Sequence, residues 1–289
     1  MITKSTISCC NSTHIHFPLL INLFCLCSSS TKSLEAANHF SIGSLFKSVH
    51  QFDSFSDDYI RTISSLGKSY SSIRTICCFD VGASAYRKTI FPEYKQNRKV
   101  ERSEEDQARF TAFFNCLKDT TEMLPFEHYK FKGIEADDII TYLVLQLKSQ
   151  YDNVWIVSSD RDLYQLLDDN VHIFNLFSRK EMTIDLLEDQ FGLTPSQYLD
   201  ARIIEGDKSD NILGIEGIGQ KRSQGLIKEY GDLEALRDIL PLKGRAKYIQ
   251  NLNTGAETLD LNRRLMDLTT YMQDAIDMSE NPEVVTEVL

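Results

Sequence analysis

The stretch "GIEADDIITYLVLQLKSQYDNVWIVSSD", residues 133–160, places an amphipathic helix directly before an apolar strand. In its first half, apolar residues recur every three or four positions, which predicts a helix with one buried face: Ile139, Ile140, Leu143, Val144 and Leu147. Its second half, 153–160, begins with a continuous apolar run, typical of a strand buried on both faces of a parallel sheet. A helix followed by such a strand predicts an α/β fold.

Helices and strands alternate on both sides of this unit. We expect helices over 56–70 and 104–124, and strands over 73–80 and 171–177. This alternation predicts a mostly parallel central sheet flanked by helices.

Strand patterns end at about residue 191, and beyond it helical patterns are separated by Gly and Pro. We therefore expect an α/β domain over 35–190 and a helical subdomain over 191–289.

Residues 1–34 differ in composition from the rest of the chain. The run "HFPLLINLFCLCSSSTKS" within them is apolar and rich in Ser and Cys, but it is too short to span a bilayer as a helix. Three interpretations stay open for this segment: a secretory signal peptide, a buried first strand, or a stretch unrelated to the folded domain, such as a misread start.

Composition limits the possible functions. The chain has 289 residues and a net charge of −11, which argues against a protein that coats nucleic acid. It does not exclude a nucleic-acid enzyme, because binding depends on where basic residues cluster. The seven cysteines are not spaced as a disulfide scaffold or a zinc site, so we expect Cys77, Cys78 and Cys116 to be reduced core residues.

Acidic residues follow predicted strands or begin predicted helices at several places. They form four groups: Asp80; Glu135, Asp137 and Asp138; Asp160 and Asp162; Asp207 and Asp210. Ligands of open α/β sheets bind at the carboxyl ends of the strands, so we expect these groups to converge there. Each acid taken alone could equally cap a helix or lie in a solvated loop.

Converging carboxylates repel one another unless a cation lies among them. A site rich in oxygen ligands and poor in His favours Mg²⁺ or Mn²⁺ over Zn²⁺. Two such ions about 4 Å apart would suit the hydrolysis of a phosphodiester. The acids therefore predict a site for two hard divalent cations.

The stretch "GIEGIGQKRSQGLIKEYG", residues 214–231, predicts a tight turn between two helices. Its glycines expose backbone N–H groups at a helix start, where a DNA phosphate can bind: Gly214, Gly217 and Gly219, followed by Lys221 and Arg222. A plain turn between helices is the alternative.

Basic and aromatic residues interleave in "YRKTIFPEYKQNRKVERSEEDQAR", residues 86–109. Phosphate charge and stacking faces together suit single-stranded nucleic acid: Arg87, Lys88, Lys95, Arg98, Lys99 and Arg102, with Tyr86, Phe91 and Tyr94. A charged, solvated loop is the ordinary alternative.

The strings "FPEYKQNR", "GIEADD", "SSDRDL", "GDKSDNILGIEGIGQKR" and "KYIQNLN" together resemble the 5′ nucleases or flap endonucleases. The similarity is strongest to bacteriophage 5′-3′ exonucleases and to the nuclease domain of bacterial DNA polymerase I, and it spans roughly residues 55–270. It implies a PIN-like nuclease fold with a helix–hairpin–helix subdomain. It also implies a monomeric, cytoplasmic enzyme that cuts flapped or branched DNA during replication and repair and does not bind a membrane.

The resemblance also implies roles for particular residues. The eight acids would be ligands of two Mg²⁺ ions, for which Mn²⁺ can substitute, or neighbours of those ligands. Lys95 would be the catalytic lysine, Arg98 a phosphate contact and Tyr94 a stacking residue. Residues 86–118, including Arg87 and Lys99, would form a helical arch over the 5′ single strand. Residues 207–231 would grip duplex DNA, with a K⁺ ion at the turn.

The first strand departs from the pattern of this family, in which it ends in an Asp-Gly-x-Asn type motif. The nearest counterpart is "LEAANHF", with Glu35 in the place of the aspartate and Asn38 after it. Two further hypotheses therefore stay open: an impaired homologue that only binds branched DNA, and a related Mg²⁺-dependent ribonuclease.

Overall fold

The structure, a computed structural model, describes residues 22–27, 55–98 and 103–289. Four residues named above, Glu35, Asn38, Lys99 and Arg102, lie outside these ranges. In the described part of the chain, no helix is both long and apolar enough to cross a membrane.

A six-stranded sheet forms the centre of the first part. Its strands are β1 (Asn22–Cys27), β2 (Arg74–Val81), β3 (Glu127–Lys132), β4 (Asn153–Val157), β5 (Val171–Asn175) and β6 (Lys180–Met182), in the order β3-β2-β1-β4-β5-β6. β2 pairs with β3, and β4 with β5, in parallel, whereas β1 is antiparallel to both β2 and β4. Hence β2 to β5 all run in one direction, and the expected mostly parallel sheet is confirmed.

Helices cover the sheet and make up most of the second part. The first five are Phe55–Ser69, Ala85–Ile90, Glu104–Glu122, Ala136–Leu147 and Ile184–Phe191. The others are Pro195–Glu205, Gln220–Tyr230, Leu233–Asp238, Lys247–Asn253, Ala256–Met266, Leu268–Asp277 and Pro282–Val288. Two-residue strands, β7 (Gly206–Asp207) and β8 (Ile212–Leu213), interrupt the helical part and are too short for a sequence pattern to predict.

The apolar run at the start of the chain supplies the middle strand. The sequence left three interpretations of residues 1–34 open, and within this segment Asn22–Cys27 pairs on both sides in the sheet. Among the three interpretations of this run, the first strand is the one the structure has. The apolar residues of "NLFCLC" suit a position between two parallel strands that are themselves covered by helices.

Alternate residues of the strands enter two separate hydrophobic layers. In β2, Ile76 and Cys78 join one cluster, and Cys77 and Phe79 join the other. This follows from the two-residue period of a strand, which points neighbouring side chains to opposite faces. The predicted buried thiols of Cys77 and Cys78 are confirmed, while Cys116 is only partly buried.

A close backbone approach shapes the turn that follows helix Pro195–Glu205. Gly206 has φ of +74°, and β7 pairs with β8 so that Gly206 lies opposite Leu213. A Cβ atom built on Gly214 would lie 1.9 Å from the carbonyl oxygen of Glu205. Only glycine at position 214 therefore allows the two backbone segments to pass each other.

We predict that Gly214→Ala lowers the free energy of unfolding by about 3 kcal/mol, because the added methyl group must push two backbone segments apart. Urea denaturation measures the change. Gly225→Ala is the matched control: it lies within helix Gln220–Tyr230 with nothing within 4 Å of its Cβ position. It should stabilise by about 0.5–1 kcal/mol, and equal effects of the two substitutions would contradict the prediction.

Candidate active site

The carboxyl edge of the sheet brings Asp80 against the start of a helix. Asp80 is near the end of β2, and its Oδ1 accepts a 2.7 Å hydrogen bond from the backbone N of Ala136. Asp80 is exposed at the surface, yet surrounding protein atoms partly desolvate its carboxyl group, and this desolvation, followed by the charge of Glu135, raises its pKa to about 6. Asp80 thus joins the sheet edge to the helix that carries three other predicted acids.

Glu135 is the point on which basic and polar groups of the 86–109 stretch converge. Its Oε1 accepts a 2.6 Å bond from Lys95 Nζ, and its Oε2 accepts from the Tyr94 hydroxyl at 2.9 Å. Arg87 Nη1 lies 3.4 Å from the same Oε2. Burial raises the pKa of Glu135, but the charges of Lys95 and Arg87 outweigh it and hold the pKa below its usual value. Glu135 is therefore a buried, ionised carboxylate.

Arg87 and Asp138 form a buried pair behind Glu135. Arg87 Nη1 and Nη2 donate to the two carboxylate oxygens of Asp138, each at 2.8 Å. Arg87 is 3% exposed and Asp138 is 0% exposed. The expectation that Arg87 contacts DNA is therefore wrong in this structure, since its charge is needed to balance a carboxylate inside the protein. Both carboxylate oxygens of Asp138, which the sequence predicts as a metal ligand, are engaged by Arg87 in this structure.

Asp210 is held by the same segment from the other side. Its Oδ2 accepts a 3.1 Å bond from the Tyr94 hydroxyl, and Arg98 Nη2 donates to its Oδ1. The backbone N of Lys95 donates to the carbonyl of Asp210 at 2.8 Å, while Lys95 Nζ is 3.7 Å from Oδ2. Lys95 has φ of +54°, a conformation uncommon for a side chain other than glycine. The turn at Lys95 thus aims its ammonium group between Glu135 and Asp210.

Tyr94 was expected to stack on a base, and its placement differs. The ring is 2% exposed and packs in the main hydrophobic cluster, so it offers no face to a nucleotide. Burial, followed by the charge of Glu135, raises the pKa of its hydroxyl well above the usual value. In this structure Tyr94 is a hydrogen-bonding link between two carboxylates.

Asp162 and Asp207 meet at an arginine that the sequence analysis did not single out. Arg202 Nη2 donates to Asp162 Oδ1 at 3.0 Å and to Asp207 Oδ2 at 2.5 Å. Burial and the neighbouring Asp160 raise the pKa of Asp162 to about 7, although Arg202 opposes them. Asp207 also accepts from the Ser209 N and Oγ, both at 2.7 Å, and these bonds, with Arg202, outweigh burial and lower its pKa. Arg202 lies five residues before Asp207, a spacing that belongs to none of the motifs described above.

Asp137 and Asp160 are the two carboxyl groups whose negative charge, when they are ionised, the protein's own cations do not balance. Asp137 Oδ1 is buried without a hydrogen-bond partner. Burial, and then Asp160 and Asp80, raise the pKa of Asp137 well above its usual value. Burial also raises the pKa of Asp160, against the bond that its Oδ1 accepts from the Asp162 N at 2.9 Å. An orphaned carboxylate oxygen beside two further carboxylates fits a hard cation.

This fit does not amount to a preformed cage. Among residues 55–98 and 103–289, no three His, Cys, Asp or Glu side chains are arranged closely enough to hold a metal ion as they stand. The carboxylates of Glu135, Asp207 and Asp210 are engaged by Lys95, Arg98 and Arg202. A metal ion would therefore need to share or exchange these ion pairs.

The predicted arch, residues 86–118, is not one continuous helix. Helix Ala85–Ile90 is followed by a non-helical stretch, a 3₁₀ turn at Gln96–Arg98 and then helix Glu104–Glu122, with 99–102 outside the described residues. The first helix ends at Ile90, two residues before Pro92, which has no backbone N–H with which to continue it. The first half of the stretch is anchored to the second part of the chain, because Asn97 Nδ2 donates to the Lys208 carbonyl at 2.6 Å.

The glycine-rich turn joins helices Pro195–Glu205 and Gln220–Tyr230. Gly217 has φ of +85°, and Gly219 is the residue at which the second helix begins. Arg222 Nη1 donates to the Gly217 carbonyl at 2.6 Å, so part of its guanidinium stabilises the turn. The Arg222 guanidinium carbon also lies 4.8 Å from the centre of the Tyr248 ring, whereas Lys221 is exposed.

Models of two related domains match consecutive parts of the chain. The N-terminal resolvase-like domain of 5′-3′ exonucleases matches residues 53–192. The C-terminal SAM fold of 5′-3′ exonucleases matches residues 193–284. The two matches together cover well over half of the chain.

Known proteins show the same likeness. The flap endonuclease of Escherichia phage T5 is 40% identical over 254 residues, 86% of this chain and 87% of the phage protein. DNA polymerase I of Rhizobium leguminosarum is 32% identical over 194 residues, 66% of this chain but only 19% of the polymerase. A crystal structure of the T5 D15 flap endonuclease, in a pseudo-enzyme-product complex with DNA and metal ions, superposes with a TM-score of 0.79 at 37% identity. It covers 86% of this chain and 96% of the T5 protein.

We predict that, in EDTA, the melting temperature falls between about pH 5 and about pH 7.5. The pKa values of Asp80, about 6, and Asp162, about 7, are raised above those of an unfolded chain. The native state then binds more protons than the unfolded state, so stability is lost as these groups ionise. His172, whose pKa burial lowers, acts in the opposite direction.

Scanning calorimetry of Asp80→Asn and Asp162→Asn isolates the contribution of these two groups, because the melting temperature of each variant should fall less steeply with pH than that of the wild type. Asp152→Asn, at an exposed position, is the control and should leave the slope unchanged. A wild-type slope retained in both site variants would show that other groups cause the pH dependence.

Proposed function

The chain belongs to the family of 5′-3′ exonucleases, and we propose that it cuts DNA at 5′ flaps, branches or free 5′ ends with two Mg²⁺ ions. It is a metal-dependent nuclease of the 5′-3′ exonuclease and flap endonuclease class. The observation that carries the proposal is the convergence of Lys95, Arg98 and the acids at one edge of the sheet. Such an edge places positively charged side chains, which can bind a phosphate, beside carboxylates, which can bind metal ions.

The metal ions would be held by the carboxylates that keep free oxygen atoms or exchangeable ion pairs. These are Asp80, Glu135, Asp137, Asp160, Asp162, Asp207 and Asp210. When bound, a pair of Mg²⁺ or Mn²⁺ ions supplies an activated water and neutralises charge on the scissile phosphate. The unpartnered, buried Asp137 Oδ1 supports this assignment from the chain's own residues.

Lys95 would act on the phosphate directly. The Lys95 side chain is 18% exposed, and its ammonium group lies between Glu135 and Asp210. Lys95 therefore contacts both the solvent and the acids. The charges of Glu135 and Asp210 outweigh burial and raise its pKa, which keeps it positively charged at neutral pH. Arg98, with a 48% exposed side chain, would contact a neighbouring phosphate.

The glycine-rich turn would bind the duplex beside the flap. Backbone N–H groups at the start of helix Gln220–Tyr230 and the exposed Lys221 suit a phosphate. A K⁺ ion at the turn would add to this contact, as the resemblance of the sequence implies.

Cleavage of a labelled 5′-flap substrate tests the proposal. We expect product in Mg²⁺ or Mn²⁺, and binding without product in Ca²⁺. Binding without cleavage in any of these ions would instead favour the impaired homologue, whose basis is that Glu35 stands in the place of the aspartate in the family's Asp-Gly-x-Asn type motif. Faster cleavage of a matched RNA flap would favour the ribonuclease.

We predict that Lys95→Ala lowers kcat by about 10²–10³-fold, because a preorganised charge next to the developing phosphate charge is lost. Flap affinity in Ca²⁺, measured by fluorescence anisotropy, should change by less than about threefold. Lys180→Ala, at an exposed position in β6, is the control and should match the wild type. An equal loss of affinity and kcat would contradict a mainly catalytic role.

We predict that Lys221→Ala reduces the slope of log affinity against log salt by about 1, because one phosphate contact is lost. Arg222→Ala should also lower the melting temperature, since Arg222 bonds to Gly217 within the turn. Titrations of duplex DNA at several KCl concentrations measure the slopes. An unchanged slope for Lys221→Ala would argue against the turn as a phosphate clamp.

A further inference from the structure

The Arg87 guanidinium lies buried where three helices meet. It belongs to helix Ala85–Ile90, and both its terminal nitrogens bond to Asp138 in helix Ala136–Leu147. Its Nε donates to the carbonyl of Leu265, in helix Ala256–Met266, at 2.8 Å. One planar cation therefore fixes the positions of three helices that come from distant parts of the sequence.

The same group also determines where Glu135 lies. Arg87 Nη1 is 3.4 Å from Glu135 Oε2, and the Asp138 Oδ2 that it binds also accepts from the backbone N of Glu135 at 3.2 Å. Both the side chain and the backbone of Glu135 are thus tied to the Arg87–Asp138 pair. Lys95 and Tyr94 in turn bond to Glu135.

We propose that Arg87 is a positioning residue, which holds Glu135 and, through it, Lys95 in register with the metal-binding edge of the sheet. The proposal rests on the proposed function, because it takes Glu135 and Lys95 as parts of the active site. Arg87 does not itself reach a substrate, since it is 3% exposed.

The chemistry of the contact requires an arginine. A guanidinium donates through a rigid planar fork, so it can bind Asp138 with two parallel bonds while its Nε reaches Leu265. A lysine would keep the charge but could not hold these acceptors in one plane. A buried ion pair is also poor evidence for stability alone, because apolar or neutral partners often replace such a pair without loss.

This last property separates positioning from a purely structural role. Removing Arg87 alone would leave the Asp138 charge buried and unpaired, and the protein would be destabilised for that reason. The double variant Arg87→Met/Asp138→Asn removes both charges and keeps an acceptor for the Glu135 backbone. Arg87→Lys keeps the charge and loses only the fork, so it serves if the double variant does not fold.

The matched control is Arg74→Met/Glu127→Gln. This pair is also a two-bond fork, with Arg74 Nε and Nη2 at 2.8 and 2.6 Å from the two oxygens of Glu127. It joins the first residues of β2 and β3, at the end of the sheet opposite Asp80. Its loss should leave turnover and metal binding unchanged.

Four quantities are measured for each variant: the melting temperature, flap affinity in Ca²⁺, kcat in Mg²⁺ and the Mn²⁺ dissociation constant by calorimetry. For Arg87→Met/Asp138→Asn we expect a melting temperature near that of the wild type and flap affinity within about threefold. We expect kcat to fall by about 10–100-fold and Mn²⁺ affinity by about tenfold. Arg87→Lys should show the same losses.

A double variant with restored stability, wild-type kcat and wild-type Mn²⁺ affinity would overturn the proposal, as would wild-type values in Arg87→Lys. The Mn²⁺ measurement distinguishes a failure of the proposed nuclease function from a failure of the positioning role of Arg87. If the wild type binds Mn²⁺ but cuts no flap, the proposed function fails, whereas an unchanged Mn²⁺ affinity in the Arg87 variants refutes the positioning role alone.

Discussion

Electrostatic compensation at the carboxyl edge of the sheet is the constraint on which the rest of the structure depends. Parallel strands bring their carboxyl ends together, and in this chain aspartates and glutamates lie at those ends or shortly after them. Such a set is tolerable in a folded protein only where positive charge is brought to it. Lys95 and Arg98 come from the segment after helix Ala85–Ile90, Arg87 from within it, and Arg202 from the helical part. Folding the second part against the first is therefore also a way of neutralising the edge.

The compensation is uneven, and the unevenness indicates function. Glu135 and Asp207 have lowered pKa values because cations or hydrogen-bond donors face them, whereas Asp80, Asp137, Asp160 and Asp162 have raised ones. A purely structural cluster would be expected to pair each carboxylate, since an unpaired buried charge costs several kcal/mol. The unpartnered Asp137 Oδ1 is the clearest case. Carboxylates left in this state are suited to a ligand that brings its own positive charge.

The sequence predicts the scaffold well because the scaffold follows from periodic patterns. The helical stripe of Ile139, Ile140, Leu143 and Val144 is buried, and the apolar run of β4 pairs with β1 and β5. Contacts made by one side chain with a distant partner have no period. Arg87 and Tyr94 lie in a basic and aromatic stretch whose composition resembles a nucleic-acid surface, yet both are buried. Arg87 bonds to Asp138, 51 residues away, and Tyr94 bonds to Glu135, 41 residues away. Arg202 was missed for the same reason.

The first strand fits the apolar pattern expected of a central strand but does not supply an acid to the site. The sequence "NLFCLC" is mostly apolar and its backbone pairs with both neighbouring strands, but it runs antiparallel to β2 and β4 and contains no acid. Its amino end, with Asn22 opposite Cys78, lies toward the edge that carries Asp80. A strand in this orientation completes the backbone pairing of the sheet without adding a carboxylate to the site. Among the described residues, the acids at this edge come from β2, the start of helix Ala136–Leu147, the segment after β4 and the segment around β7, and Arg87, Lys95 and Arg202 form ion pairs that hold these elements together.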